Sequence, residues 1–201
     1  MPFSFRSAIV LIALLSAAVS ARAQGYYAYY QMPTSGYQTS YHPYGTDEDS
    51  SGGQVIQGGS RPVVRGSRAV VRHGVAYAPS SAPDSVKHAI WATNALRRMP
   101  YKWGGGHGSF SDSGYDCSGT VSYALHNAGV LSTPIASCDL LNYGQRGRGR
   151  WITIYSRHGH TFAVIAGLRL DTTGYYGTEG PRWHADGRDT WGYEPRHPIG
   201  L

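Results

Sequence analysis

Acidic side chains are scarce: the 201 residues hold 12 Asp and Glu against 18 Lys and Arg, for a formal charge of +6 and a pI near 9.4. A chain with that balance is drawn to polyanions. No helix-turn-helix or zinc-finger spacing accompanies the charge, so nucleic acid is not the expected partner. Cysteine is nearly missing as well. Cys117 and Cys138 are the whole thiol inventory, and in an exported chain such a lone pair reads first as a disulfide. Beyond the N-terminus no segment approaches the roughly 20 apolar residues of a transmembrane helix.

What is present begins with an export signal. Arg6 precedes an apolar run from Ala8 to Ala18, followed by the small-x-small triplet Ala21-Arg22-Ala23, the pattern a signal peptidase accepts. Residues 1–23 are therefore expected to be removed. The run is short for a bilayer span, and no Cys follows it to carry lipid, so no stable membrane anchor is expected and the product is secreted, periplasmic or wall-associated. From 24 to 81 the chain is rich in Tyr, Ser, Gly and Arg and almost devoid of Leu, Ile and Phe. Such a composition argues for a disordered tail, because too little apolar surface is available to offset the ordering entropy. Within it, Arg61-Pro-Val-Val-Arg-Gly and Arg68-Ala-Val-Val-Arg-His form a short duplication. Its arginines suit an anionic cell-wall polymer, or simply a solvated linker.

Order is expected over 82–201. Asp84 is a candidate N-cap for a helix with Val86, Ile90 and Leu96 on its apolar side, ending before Pro100. A Gly-rich loop, 104–114, reads as a flexible wall. A second helix starts at Asp116 or Cys117, with Val121, Ala124, Leu125 and Ala128 at i, i+3, i+4 and i+7 and Gly129 as its C-terminal stop. The pattern then turns to strands. Trp151–Tyr155 alternates, 161–166 is a β-favouring run, and Leu168-Arg-Leu170 follows one Gly later, as a tight hairpin would. At most one short strand is expected after Gly174.

A thiolate is a far better nucleophile than a thiol, and the unpaired N–H groups and dipole of a helix start favour an anion. Cys117 occupies that place. The same N–H groups suit the oxyanion of a tetrahedral intermediate, with Asp116 and Ser118 as cap and substrate contacts. A base must come from elsewhere, and His158 and His160 precede the hairpin. Two residues apart on a strand, they also suit a metal, although no third ligand stands at a recognisable spacing. Across the hairpin, Asp171 is either a turn residue or the carboxylate that holds an imidazole in its working tautomer.

Taken together, Pro100-Tyr-Lys-Trp-Gly-Gly, Tyr115-Asp-Cys-Ser-Gly-Thr-Val at the head of an amphipathic helix, and Gly159-His-Thr-Phe-Ala-Val-Ile-Ala-Gly before a second strand resemble the NlpC/P60 cell-wall peptidases. The resemblance spans about the last 120 residues. It implies a papain-like α+β fold, with helices packed on a small antiparallel sheet. It also implies Cys117 as nucleophile, His160 as base and Asp171 in the third position, where the family usually has His, Asn or Gln. Tyr101 matches the loop tyrosine that lines the cleft or assists the oxyanion. A Cys117–Cys138 bridge would disable such a nucleophile.

The activity so implied is hydrolysis of amide bonds in peptidoglycan stem peptides, between D-glutamate and the diamino acid, by a monomer without metal or organic cofactor. Other readings of the same scaffold are an amidase, an acyl transferase or an antibacterial wall-degrading toxin. From a different class comes a non-catalytic wall-binding protein whose basic tail does the work.

Overall fold

The computed structural model describes residues 61–174 and 177–201. The expected signal peptide and the expected tail up to residue 60 lie outside the described residues. The fold is α+β. Two helices pack on an antiparallel sheet, as the sequence implies, but the sheet is larger than expected and the ordered chain starts earlier.

The earlier start corrects the expected boundary at 82. Strands β1 (Val63–Val64), β2 (Val70–Arg72) and β3 (Val75–Pro79) form a small sheet in the order β1-β3-β2, parallel between β1 and β3 and antiparallel between β2 and β3. The scarcity of Leu, Ile and Phe misleads here, because Val and Ala supply the contact. Val pairs well on a pleated surface, and Ala76 and Ala78 are fully buried. A clamp completes the attachment: Asn94 accepts from the Ala76 N–H at 2.8 Å and donates to the Ala76 carbonyl at 2.9 Å.

Helix α1 (Asp84–Thr93) continues into a 3-10 turn, Asn94–Arg98. Its N-cap is Pro83 rather than Asp84, and it has no side-chain cap bond. Asp84 instead lies in the first turn, where its carboxylate suits the dipole, and pairs with Lys87 at 3.1 Å. Val86, Ala89 and Ile90 are buried against helix α2 (Cys117–Asn127), whose Val121, Ala124 and Leu125 face back. Helix α2 is C-capped by Ala128, followed by Gly129 at φ +75°, the left-handed position that stops a helix cheaply. A short helix α3 (Ser137–Leu140) carries the exposed, free Cys138.

The main sheet contains β4 (Gln145–Arg146), β5 (Ile152–Arg157), β6 (His160–Ile165), β7 (Leu168–Gly174), β8 (Gly177–His184) and β9 (Glu194–His197), in the order β4-β9-β5-β6-β7-β8 with antiparallel pairing throughout. Beyond Gly174 there are two strands where at most one was expected, since Gly, Arg and Trp mask the alternation. The β6–β7 hairpin turns on Ala166 and Gly167, both at positive φ (48° and 90°), the two-residue geometry that matches strand twist. Ile152, Ile154, Ala163, Ile165, Leu168 and Leu170 form the sheet's half of the core beneath α1 and α2. The opposite parity, His160 and Phe162 on β6 and Arg169 and Asp171 on β7, faces away from it. Among the described residues no helix is long and apolar enough to cross a membrane.

Candidate active site

Asp116 fixes the start of α2. As N-cap its Oδ1 accepts from the Gly119 N–H at 2.7 Å and from the Ser118 hydroxyl at 3.1 Å, while Oδ2 accepts from the Gly104 N–H at 3.0 Å. His107 adds a further contact, its Nε2 lying 3.1 Å from both Asp116 Oδ1 and Ser118 Oγ. That hydrogen bond raises the His107 pKa against the opposing effect of burial. Burial raises the Asp116 pKa, but the bonds from His107 and Gly119 outweigh it and leave the carboxyl below its usual range. Both Asp116 and Ser118, expected as substrate contacts, are thus buried and engaged inside the protein.

The Gly-rich loop is tied down rather than flexible. The Gly105 carbonyl accepts from the Asp116 N–H at 3.2 Å, and the Gly106 N–H donates to Asp112 at 3.0 Å. A Cβ at Gly119 would run into the Gly105 carbonyl oxygen. Glycine at that helix position therefore lets the loop approach the residue after next from Cys117. Tyr101, 37% exposed, is joined by a β-bridge to Tyr115. Its pKa is raised by burial and then by the negative charges of Cys117 and Asp116.

Cys117, buried and unbridged, acts on the titration of His160, the first residue of β6. His160 Nε2 lies 3.1 Å from Asp171 Oδ1, which leaves Nδ1 as the nitrogen available to sulfur. Burial, the largest single influence, disfavours the charged imidazole, yet the bond to Asp171 and the interaction with Cys117 together lift its pKa to about 9. At neutral pH the ring is an imidazolium, and its Nε2–H donates to Asp171. His158, the other expected base, is exposed in the β5–β6 turn instead of on the strand.

Asp171 is neither a turn residue nor solvated. Its side chain is 0% exposed, and all of its acceptor capacity is used: Oδ1 by His160 and by the Thr173 N–H at 3.0 Å, Oδ2 by Arg169 at 2.7 Å and Arg188 at 2.6 Å. A register shift between Asp171 and Thr173 in the β7–β8 pairing bends the strand here, as bulges beside functional sites commonly do. Burial alone would raise the Asp171 pKa, but the bonds from His160, Arg188 and Thr173 hold the carboxyl far below the usual range.

Sequence reasoning missed the two arginines. Arg169 had a signal, since it and Asp171 are two apart on one strand and must share a face. Arg188 had none: it comes from the irregular stretch after β8, 17 residues from Asp171. Its guanidinium lies 5.1 Å from the Phe162 ring centre and 5.6 Å from that of Tyr193, and 3.2 Å from His160 Nε2. Tyr193 is itself edge-on to His160 at 6.3 Å. Burial raises its pKa most, and the Cys117 charge acts in the same direction. Among the described residues no group of three or more His, Cys, Asp and Glu is gathered in a way that would hold a metal ion.

Fold and site together define an α+β domain with a thiol at a helix start, an imidazole on the facing strand and a buried carboxylate behind it. No family model matches the chain, and no curated protein matches it. Among solved structures it is similar to the P60 domain of an antigen from M. avium subspecies paratuberculosis, at 22% identity and a TM-score of 0.44, covering 56% of this chain and 94% of that one.

Proposed function

We propose that this protein is an exported cysteine peptidase that hydrolyses amide bonds in peptidoglycan stem peptides, cutting between D-glutamate and the diamino acid. The observation that carries the reading is His160, 3.1 Å from the buried Asp171 carboxylate, with its charged form favoured by Asp171 and by Cys117 at the N-terminus of α2.

In the proposed reaction the Cys117 thiolate attacks the peptide carbonyl carbon, forming a C–S bond and moving the carbonyl electron pair onto oxygen. The Cys117 and Ser118 N–H groups, which the helix start leaves without intrahelical acceptors, stabilise that oxyanion, with Tyr101 as a further donor. His160 gives its proton to the leaving amine as the C–N bond breaks. Neutral His160 then takes a proton from water, whose oxygen attacks the thioester. The acid is released and the thiolate and imidazolium are restored. Asp171 touches no reacting atom; it keeps the ring oriented and charged, as the third member of a triad does.

Support for the substrate comes from the motifs around Tyr101, Cys117 and His160 that resemble the NlpC/P60 peptidases, and from a basic chain meeting an acidic polymer. The test is digestion of purified muropeptides by the full chain beside Cys117→Ala, read by mass spectrometry. New fragments with an N-terminal diamino acid, absent with the variant, are expected. Unchanged release by Cys117→Ala would overturn the mechanism, and cleavage at another bond would overturn the specificity.

A further inference from the structure

A cavity of about 420 Å³ lies away from Cys117, at the far end of the strand that carries His160. Its walls include Arg68, Arg148 and Arg150, and its floor includes Trp151, Thr153 and Val164. Thr153 and Val164 are opposite each other in the β5–β6 register, with the same parity as Phe162 and His160. Val164 is four positions along from His160, about 13 Å on an extended strand. The volume is in the range of small-ligand sites.

The arginines are brought there by separate parts of the fold. Arg68 comes from the segment before β2, pinned by the Ala69 N–H donating to the Ala166 carbonyl at 2.9 Å. Its guanidinium lies over Gly167, where Nη2 is 3.1 Å from the position a Cβ would take, so the glycine makes room for it. Arg148 and Arg150 flank Gly149, whose N–H donates to the Thr153 hydroxyl at 3.1 Å, and Arg150 lies over the Trp151 ring at 5.5 Å. None of the three takes part in the ion pairs among the described residues. Arg169, by contrast, is paired with Asp171 and Asp186. Three like charges around one concavity repel each other unless an anion sits between them, and guanidinium forks suit carboxylate and phosphate oxygens in particular.

We propose that this cavity is an anion-binding subsite, distinct from the catalytic centre, that takes a carboxylate or phosphate group of a cell-wall polymer through Arg68, Arg148 and Arg150. A wall polymer held there is also held along the sheet face that leads to His160.

The experiment is an NMR titration of the full chain at low ionic strength. The Trp151 indole N–H and the Gly149 and Gly167 amides are followed against inorganic phosphate, against acetyl-D-alanyl-D-alanine, and against its C-terminal amide. Saturable shifts are expected with phosphate, the free carboxylate or both, and none with the amide. A response to phosphate alone assigns the cavity to phosphate-bearing polymers; a response to the carboxylate alone assigns it to stem peptides. Arg148→Gln with Arg150→Gln is expected to weaken binding about tenfold or more, and the paired Arg→Lys changes to weaken it less. Arg68→Gln, on a separate segment, gives an independent reading if the double variant does not fold. Equal shifts in wild type and a folded variant, or no response to either anion by wild type, would overturn the proposal. Binding is read without turnover, so Cys117→Ala should titrate like wild type whatever becomes of the catalytic reading.

Discussion

Replacing Asp171 by Asn keeps the shape of the side chain and removes its charge, and the contacts around His160 fix the direction in which its titration moves. The rise of the His160 pKa from 6.5 to about 9 amounts to roughly 3 kcal/mol in favour of the imidazolium, and Asp171 heads the influences that raise it. Burial of the ring works the other way, with only 15% of the side chain exposed. Without the carboxylate, Arg188 loses its ion-pair partner and Arg169 keeps only Asp186, so their positive charges bear on the ring with less compensation. His160 in Asp171→Asn should therefore titrate well below about 9, toward or beneath its ordinary value. The ring Cε1–Hε1 signal followed by NMR between about pH 5 and pH 10 reads this directly. On muropeptides, the alkaline limb of kcat/KM should move down with it, and activity near pH 8 should fall about tenfold or more. Breaking a buried charge network costs about 3–5 kcal/mol, so the measurement is made well below the variant's melting temperature with the fold checked by circular dichroism. A folded Asp171→Asn protein whose His160 still titrates near 9 would refute the reasoning.

Other expectations rest on the same contacts. Arg188→Gln removes a positive charge 3.2 Å from His160 Nε2 while Arg169 still holds Asp171, so the His160 titration should move up, opposite to Asp171→Asn; a downward move would show that Arg188 acts mainly by placing the carboxylate. Gly119→Ala forces a Cβ against the Gly105 carbonyl and should cost about 1–3 kcal/mol by denaturant unfolding, with loss of activity as the Cys117 turn is displaced. Asn94→Ala strands the Ala76 N–H and carbonyl and should cost about 2–4 kcal/mol; an unchanged melting temperature would mean that residues 61–81 are not integral to the domain. Thermal stability should be greatest between about pH 4 and 6.5. Asp171 and Asp116 are depressed, so their contribution is present above the ordinary carboxylate pKa and lost as pH falls. His160 is raised, so its contribution is complete below 6.5 and lost as pH rises through about 9.

How far the sequence reached depends on whether the determining contacts were local. The start and end of α2 were legible, because an N-cap acts over three residues and a left-handed glycine over one; Asp116, Cys117 and Gly129 therefore announced themselves. The β6–β7 hairpin was legible for the same reason, whereas the choice of His160 over His158 and of Asp171 as its partner came only with the family resemblance. Strand β8 was not, because its Gly, Arg and Trp are selected by contacts with β7 and the site rather than by alternation. The order of 61–81 was hidden too: Ala76 and Ala78 are weak signals until the turn after α1 supplies Asn94 to satisfy the N–H and carbonyl of Ala76.

What the sequence by itself determined is a thiol at a helix start and an imidazole at a strand start, because each is set by interactions a few residues long. What only the tertiary structure decided is the electrostatics that make them a unit. Asp171 could be buried as an anion only where Arg169 and Arg188 converge on it, and Arg188 arrives from an irregular segment with no periodic trace. The three arginines of the cavity meet only because the β6–β7 turn receives the segment before β2. Charge can be counted along a chain, but the field at one nitrogen depends on distances that only folding sets.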